Sequence, residues 1–203
     1  APMAGGPSSN ELARAVASTG ALGFLGGGNK AATRVAEDYR SVAASGDVGV
    51  NLFVPDAANT AVDVAKSQQG RTEKLAAFRE ELLPFAQRLG VELPTVEQAG
   101  ADVSDDWEAK LEAAVEWPIV SFTFGLPGPD VFQRLHESDT QVGVTVTSAA
   151  EARNAADHGA DFLVVQGPEA GGHRSVHDPL GTPETLELPE LLEPSQEPEP
   201  EPG

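Results

Sequence analysis

The sequence predicts an α/β fold built on a parallel sheet, and three observations carry that reading. Short apolar runs alternate with amphipathic stretches of helical period as far as Gln166. The runs are apolar almost without interruption, the pattern of strands covered on both faces. Strands that alternate with helices join as right-handed βαβ units, which makes neighbouring strands parallel. A closed barrel and an open doubly wound sheet both satisfy these observations.

In chain order, Ser8 to Thr19 reads as a helix. Ser8 and Glu11 have capping-box spacing, and Leu12, Ala15, Val16 and Thr19 share one face. Leu22 to Leu25 is a short strand closed by Gly26-Gly27-Gly28. A helix from Ala31 to Ala44 stops at Gly46, and Val48 to Val54 is a strand ended by Pro55. Arg71 to Leu89 is a strongly amphipathic helix, with Leu75, Phe78, Leu82, Phe85 and Leu89 at helical spacing and Gly90 as its stop. The alternation continues with a helix over Trp107 to Val115, a strand over Ile119 to Phe124, a helix over Asp130 to His136 and a strand over Gln141 to Thr147. A helix over Ser148 to His158, with a second capping-box pair in Ser148 and Glu151, leads to a last strand, Asp161 to Gln166. Trp107 and Trp117 are packing residues.

The end of the chain differs in kind. From Pro183 to Gly203 there are seven Glu, six Pro and no basic residue. Proline lacks the N–H that a helix interior or a central strand needs, and the carboxylates repel one another. Residues 1–182 are therefore expected to form the folded domain and 183–203 a disordered, solvated acidic tail. Leu186, Leu188, Leu191 and Leu192 leave open one turn of docking helix.

Composition narrows the function. At 203 residues and 40% hydrophobic, the chain suits one domain with a sizeable core. A net charge of −19 argues against nucleic acid and against anionic membrane surfaces. With no cysteine, thiolate catalysis, disulfides and Cys–zinc sites are excluded. His136, His158 and His177 lack metal-ligand spacing with carboxylates, so no metal site is expected. No apolar run has the length of a membrane span and no signal peptide is visible, and the lack of cysteine makes a reduced cytoplasm the expected compartment. A homo-oligomer is compatible with all of this.

Three motifs can carry chemistry. The first is Gln166-Gly167-Pro168-Glu169-Ala170-Gly171-Gly172-His173-Arg174, directly after the last strand. Paired glycines let backbone N–H groups approach a phosphate or a flat ring, Gln166 can donate and accept, and His173 is a residue type that exchanges protons near neutral pH. An ordinary glycine-rich turn with an exposed His and Arg accounts for it equally well. The second is Ala1-Pro2-Met3-Ala4-Gly5-Gly6, whose small residues allow a ring to lie against backbone, or which is simply a flexible terminus. The third is Asn51 in Gly49-Val50-Asn51-Leu52-Phe53, an amide within an apolar strand that needs a partner in the structure or in a ligand. The run Gly23 to Lys30 lacks the Gly-Lys-Ser/Thr ending of a P-loop and the GxGxxG opening of a dinucleotide fold, and reads as a tight strand-to-helix connection.

Together with Gly20-Ala21-Leu22-Gly23-Phe24-Leu25, these motifs resemble the nitronate monooxygenases, formerly called 2-nitropropane dioxygenases, over about residues 1–180. The resemblance implies a TIM-type (β/α) barrel that binds FMN non-covalently and oxidises alkyl nitronates or nitroalkanes with O₂ to a carbonyl compound and nitrite. It implies that Met3 lines the isoalloxazine, that Asn51 and Gln166 bond to it, and that Gly171 touches the cofactor through backbone. It also implies that His173 is the catalytic base, with no metal involved. In that family, later strands carry a second glycine motif and a Gln-x-Gly-Thr-like turn that hold the FMN phosphate. This chain has neither, and a single-chain barrel takes about 250 residues. Only the N-terminal part of a barrel is therefore expected, with the start trimmed as well because residue 1 is Ala. Two alternatives stand beside this reading. A flavin-dependent enoyl-acyl-carrier-protein reductase shares a similar Glu-Ala-Gly-Gly-His string, although the Arg after His173 and the Gly-Val-Asn-Leu-Phe strand favour nitronate oxidation. A non-catalytic barrel fragment is the other.

Overall fold

The computed structural model describes residues 2–55, 64–100 and 105–192. Residue 1 of the second motif and residues 193–203 of the acidic tail lie outside the described residues. The chain divides into two compact units, one of residues 1–54 with 106–203 and one of residues 55–105.

The first unit holds five parallel strands, β1 (Gly23–Gly26), β2 (Val48–Phe53), β3 (Ile119–Thr123), β4 (Gln141–Val146) and β5 (Phe162–Val165). They pair in the order β1-β2-β3-β4-β5. That order separates the two candidate architectures. A doubly wound sheet reverses its strand order at a switch point, whereas a barrel adds each new strand on the same side. The sheet is a partial TIM-type (β/α) barrel.

Helix α1 (Asn10–Ala17) precedes β1, and α2 (Ala32–Val42) joins β1 to β2. Helix α5 (Trp107–Ala114) leads into β3, α6 (Pro129–His136) links β3 to β4, and α7 (Ala149–Asp157) links β4 to β5. The main core sets Val50, Leu52, Val120, Phe122, Val142 and Val144 of the central strands against Val35 of α2, Leu111 of α5, Leu135 of α6 and Ala155 of α7. Each of these side chains except Ala155, fully buried, contributes on the order of 1–3 kcal/mol of transfer free energy. Tyr39 also packs on a smaller cluster made by Ala13, Ala17, Leu25, Val42 and Val48. Trp117 is buried against the Tyr39 ring at 5.7 Å, and Trp107 lies 5.7 Å from the Phe122 ring.

Local details differ from the sequence expectations at three places. Ser9, not Ser8, caps α1, accepting from Leu12 N at 3.2 Å. Ser8 is buried and its Oγ accepts from Met3 N at 2.7 Å, which ties down the N-terminal loop. At α7, Ser148 Oγ accepts from Glu151 N as expected, but the Glu151 carboxylate bonds to Thr147 N, Thr147 Oγ1 and His177 N rather than closing the box. Leu188–Leu192 forms a helical turn, α8, inside the stretch expected as tail and at the leucines that left one docking turn open.

The second unit is helical. Helix α3 (Val64–Leu89) begins earlier than the expected Arg71. A short α4 (Val96–Gly100), which the sequence reading missed, opens with a reciprocal capping box: Thr95 Oγ1 accepts from Gln98 N, and Gln98 Oε1 accepts from Thr95 N. Among the described residues, no helix is long and apolar enough to cross a membrane.

Candidate functional site

A cleft of about 540 Å³ opens at the C-terminal ends of the strands, within the usual size range of small-molecule sites. In (β/α) barrels this is the face that carries chemistry. Met3, Asn51, Gln166, Gly171 and His173 all line it. They come from the N-terminal loop, β2 and the segment after β5, so the fold brings together residues 163 positions apart, from Met3 to Gln166.

The floor is a row of paired strand positions. Phe53 pairs with Thr123 and Thr145 with Val164 in the registers of β2–β3 and β4–β5, and all four line the cleft. Thr123 and Thr145 Oγ1 lie 3.0 Å apart. Asn51 is buried beside them. Its Nδ2 donates to Thr123 Oγ1 at 2.9 Å, to Ser121 Oγ at 3.0 Å and to the Ser121 carbonyl at 3.2 Å. A carbonyl can only accept, so the amide nitrogen must face β3.

Glycines let this end of the sheet close up. A Cβ on Gly28 would fall within 2.3 Å of the Phe53 ring, and one on Gly26 would press on Met3 and Ala4 backbone at 3.1–3.2 Å. The Gly26-Gly27-Gly28 run thus seats Phe53 and the Met3 loop against the strand top. At Gly171 a Cβ would meet nothing within 4 Å, so that glycine borders open cleft.

The segment after β5 is braced from inside. Gln166 Nε2 donates to the His173 carbonyl at 3.1 Å, and its Oε1 accepts from Ser175 N at 2.8 Å. Most of the Gln166 amide is therefore engaged with its own loop, and one Nε2 hydrogen remains for a ligand. Arg174 donates to three backbone carbonyls, those of Gln166 at 2.7 Å, Thr147 at 3.2 Å and Glu184 at 3.3 Å. Glu169 Oε1 accepts from Leu188 N at 2.9 Å, and Leu188 in turn lines the cleft. Hydrogen bonds from its own backbone and from Leu188 hold the Glu169 carboxyl below its ordinary range.

His173 is exposed and lines the cleft, and its ring has Phe124 as a neighbour, edge-on at 6.2 Å. Phe124 meets Phe53 in turn at 4.8 Å. Its φ of +69° is a strained conformation for a bulky residue. The sequence reading missed Thr123, Thr145, Phe124 and the bracing role of Arg174. Hydroxyls interrupting otherwise apolar strands were the signal available for the threonines. Nothing local announces the backbone of Phe124.

The cleft fits a planar, largely apolar heterocycle. Aliphatic and aromatic side chains line much of it, a glycine opens one side, and polar side chains come from the floor and from the segment after β5.

The decisive comparison is with protein families. The family model described as nitronate monooxygenase matches residues 1–194. The chain belongs to the nitronate monooxygenase family. A probable nitronate monooxygenase of Staphylococcus aureus strain MSSA476 is 31% identical over 174 residues, covering 83% of this chain and 45% of the relative. A crystal structure of nitroalkane oxidase from Streptomyces ansochromogenes superposes with a TM-score of 0.72 at 35% identity, over 88% of this chain and 48% of that one. FabK from Thermotoga maritima, at 22% identity and a TM-score of 0.54 over 87% of this chain and 43% of that one, shares the fold. The chain thus spans just under half the length of the nitronate monooxygenase relatives it matches.

Proposed function

We propose that the cleft binds the isoalloxazine of FMN and that the protein to which this chain belongs oxidises alkyl nitronates with O₂ to a carbonyl compound and nitrite. The observation that carries this reading is the convergence of Met3, Asn51, Gln166, Gly171 and His173 on one cleft at the strand tops of a nitronate monooxygenase family fold.

The flavin, when bound, supplies the electron-transfer chemistry. The chain's own residues do the rest. Asn51 and the remaining Gln166 hydrogen orient the ring, and the backbone at Gly171 lies open to it. Met3, Phe53, Val164 and Leu188 give apolar walls that limit water near the reacting carbon. The His173 ring makes no hydrogen bond among the described residues and belongs to a residue that lines the cleft, so a ring nitrogen is available to take the α-proton of a neutral nitroalkane. A nitronate arrives without that proton and requires only positioning by the same ring.

The test is turnover of propionate 3-nitronate by the FMN-loaded protein, followed as nitrite release and O₂ consumption. Enone-dependent NADH oxidation without nitrite release would replace this reading with the reductase.

A further inference from the structure

Counting hydrogens on the cleft floor identifies a pair of hydroxyls, outside the family motifs, that can read a ligand beside Asn51. Thr123 and Thr145 carry two hydroxyl hydrogens between them. One lies in the bond that joins their Oγ1 atoms, 3.0 Å apart. The other cannot go to Asn51, because Asn51 approaches Thr123 with its nitrogen, which is a donor only. Whichever threonine donates to its neighbour, one O–H is left over, and both side chains line the cleft while only 8% and 6% exposed. Beside it lies Asn51, 3% exposed, whose Oδ1 has no partner among the described residues because its nitrogen is the atom turned toward β3. A donor and an acceptor side by side on the cleft floor, neither spent on a partner among the described residues, suit a ligand that satisfies both.

We propose that the Thr123–Thr145 hydroxyl pair and Asn51 Oδ1 together read the edge of a planar heterocycle that presents an N–H beside a carbonyl oxygen. This rests on the flavin reading and makes it more specific. The oxidised isoalloxazine has one ring N–H, at N3, flanked by two carbonyls. Asn51 Oδ1 accepts from N3–H, and the spare threonine hydrogen is given to a flanking carbonyl.

The pair is redundant by construction. Thr123→Val leaves the Thr145 hydroxyl free to donate, and Thr145→Val leaves that of Thr123. Only the double variant removes the donor. The probe is lumiflavin, the ring system without ribityl phosphate, titrated into the 203-residue chain by fluorescence quenching with the visible spectrum recorded. Each single variant is expected to bind within about twofold of wild type, and the double variant about three- to tenfold more weakly with a shifted visible band, the loss of one hydrogen bond. The double Thr→Ser variant restores binding. N3-methyllumiflavin, which lacks the N–H, binds the unaltered protein about three- to tenfold more weakly than lumiflavin, and this arm needs no variant to fold. A double variant within twofold of wild type, single variants as weak as the double, or equal binding of the N3-methyl ring overturns the inference while leaving the flavin reading in place. No lumiflavin binding by the unaltered protein overturns the flavin reading and the inference with it.

Discussion

The ring of His173 meets Phe124 edge-on, with centroids 6.2 Å apart and planes at 78°. Phe124 is the residue whose backbone takes up strain at this strand end, with φ at +69°. It stands between Phe53 and His173, so the imidazole rests against an aromatic wall anchored in β2 and β3.

Replacing His173 with Asn tests its part in proton transfer. If the imidazole takes the α-proton, turnover of neutral nitroalkanes falls by about 10²–10⁴-fold while preformed nitronates lose much less. The two rates are compared on flavin-loaded enzyme, with flavin content equal in both proteins. Equal losses would make His173 a positioning residue.

Arg174 is expected to matter for stability as much as for the site. Arg174→Ala leaves three backbone carbonyls, of Gln166, Thr147 and Glu184, without their donor. Charge-assisted hydrogen bonds contribute about 1.5–3 kcal/mol each when buried, but Arg174 is only half-buried. A net loss of about 2 kcal/mol is expected, a fall in Tm of roughly 4–8 °C for a domain of this size. Arg174→Lys, which offers no planar fork, should recover less than half of it. An unchanged melting curve for the alanine variant would remove the bracing role.

Asp38 gives the fold an acid-sensitive point. Burial pushes its carboxyl up, but hydrogen bonds from Lys30 and Asn10 and the charges of Lys30 and Arg34 outweigh that, so its pKa lies below the ordinary aspartate value. A folded-state pKa that is depressed stabilises above the unfolded value and is lost as pH falls through the folded one. The stability gap between wild type and Asp38→Asn should therefore be constant from about pH 8 to 5, at roughly 2 kcal/mol, and should close below about pH 4. Denaturant melts at stepped pH measure it, and a gap that widens in acid would contradict the sign.

The C-terminal stretch separates into two parts. We propose that the folded body extends through Leu192, past the boundary at residue 182 that composition suggests. Truncation after Leu192 should leave the melting temperature unchanged. Truncation after Pro183 removes the Glu184 carbonyl from Arg174 and the Leu188 N–H from Glu169. That cut should lower Tm by roughly 2–4 °C, equivalent to about 1 kcal/mol. Equal melting of the two truncated chains would show that α8 contributes nothing.

Much of this was legible in one dimension. The five strands and most of the helices stand within a few residues of where periodicity puts them, because burial on both strand faces and on one helix face imposes its own spacing on apolar residues. The short α4 escaped because five residues carry too little periodicity to read, and its capping box was the signal overlooked. The Ser8 cap failed because Ser8 and Ser9 both fit a cap by type, and the choice rests on which hydroxyl Met3 N takes.

The sequence by itself determined the alternation of strands and helices, the acidic, cysteine-free character of the chain and the motifs that carry the family resemblance. All three depend on residue type and local spacing. Tertiary structure decided the sequential strand order that makes the sheet part of a barrel. It turned Arg174 onto backbone carbonyls, and it brought Asn51, Thr123 and Thr145 together so that a donor and an acceptor are left over at the cleft floor among the described residues. Those features arise from contacts between strand residues up to 72 positions apart, as from Asn51 to Thr123, and no local pattern encodes which atom of an amide or hydroxyl is left over once its neighbours have been satisfied.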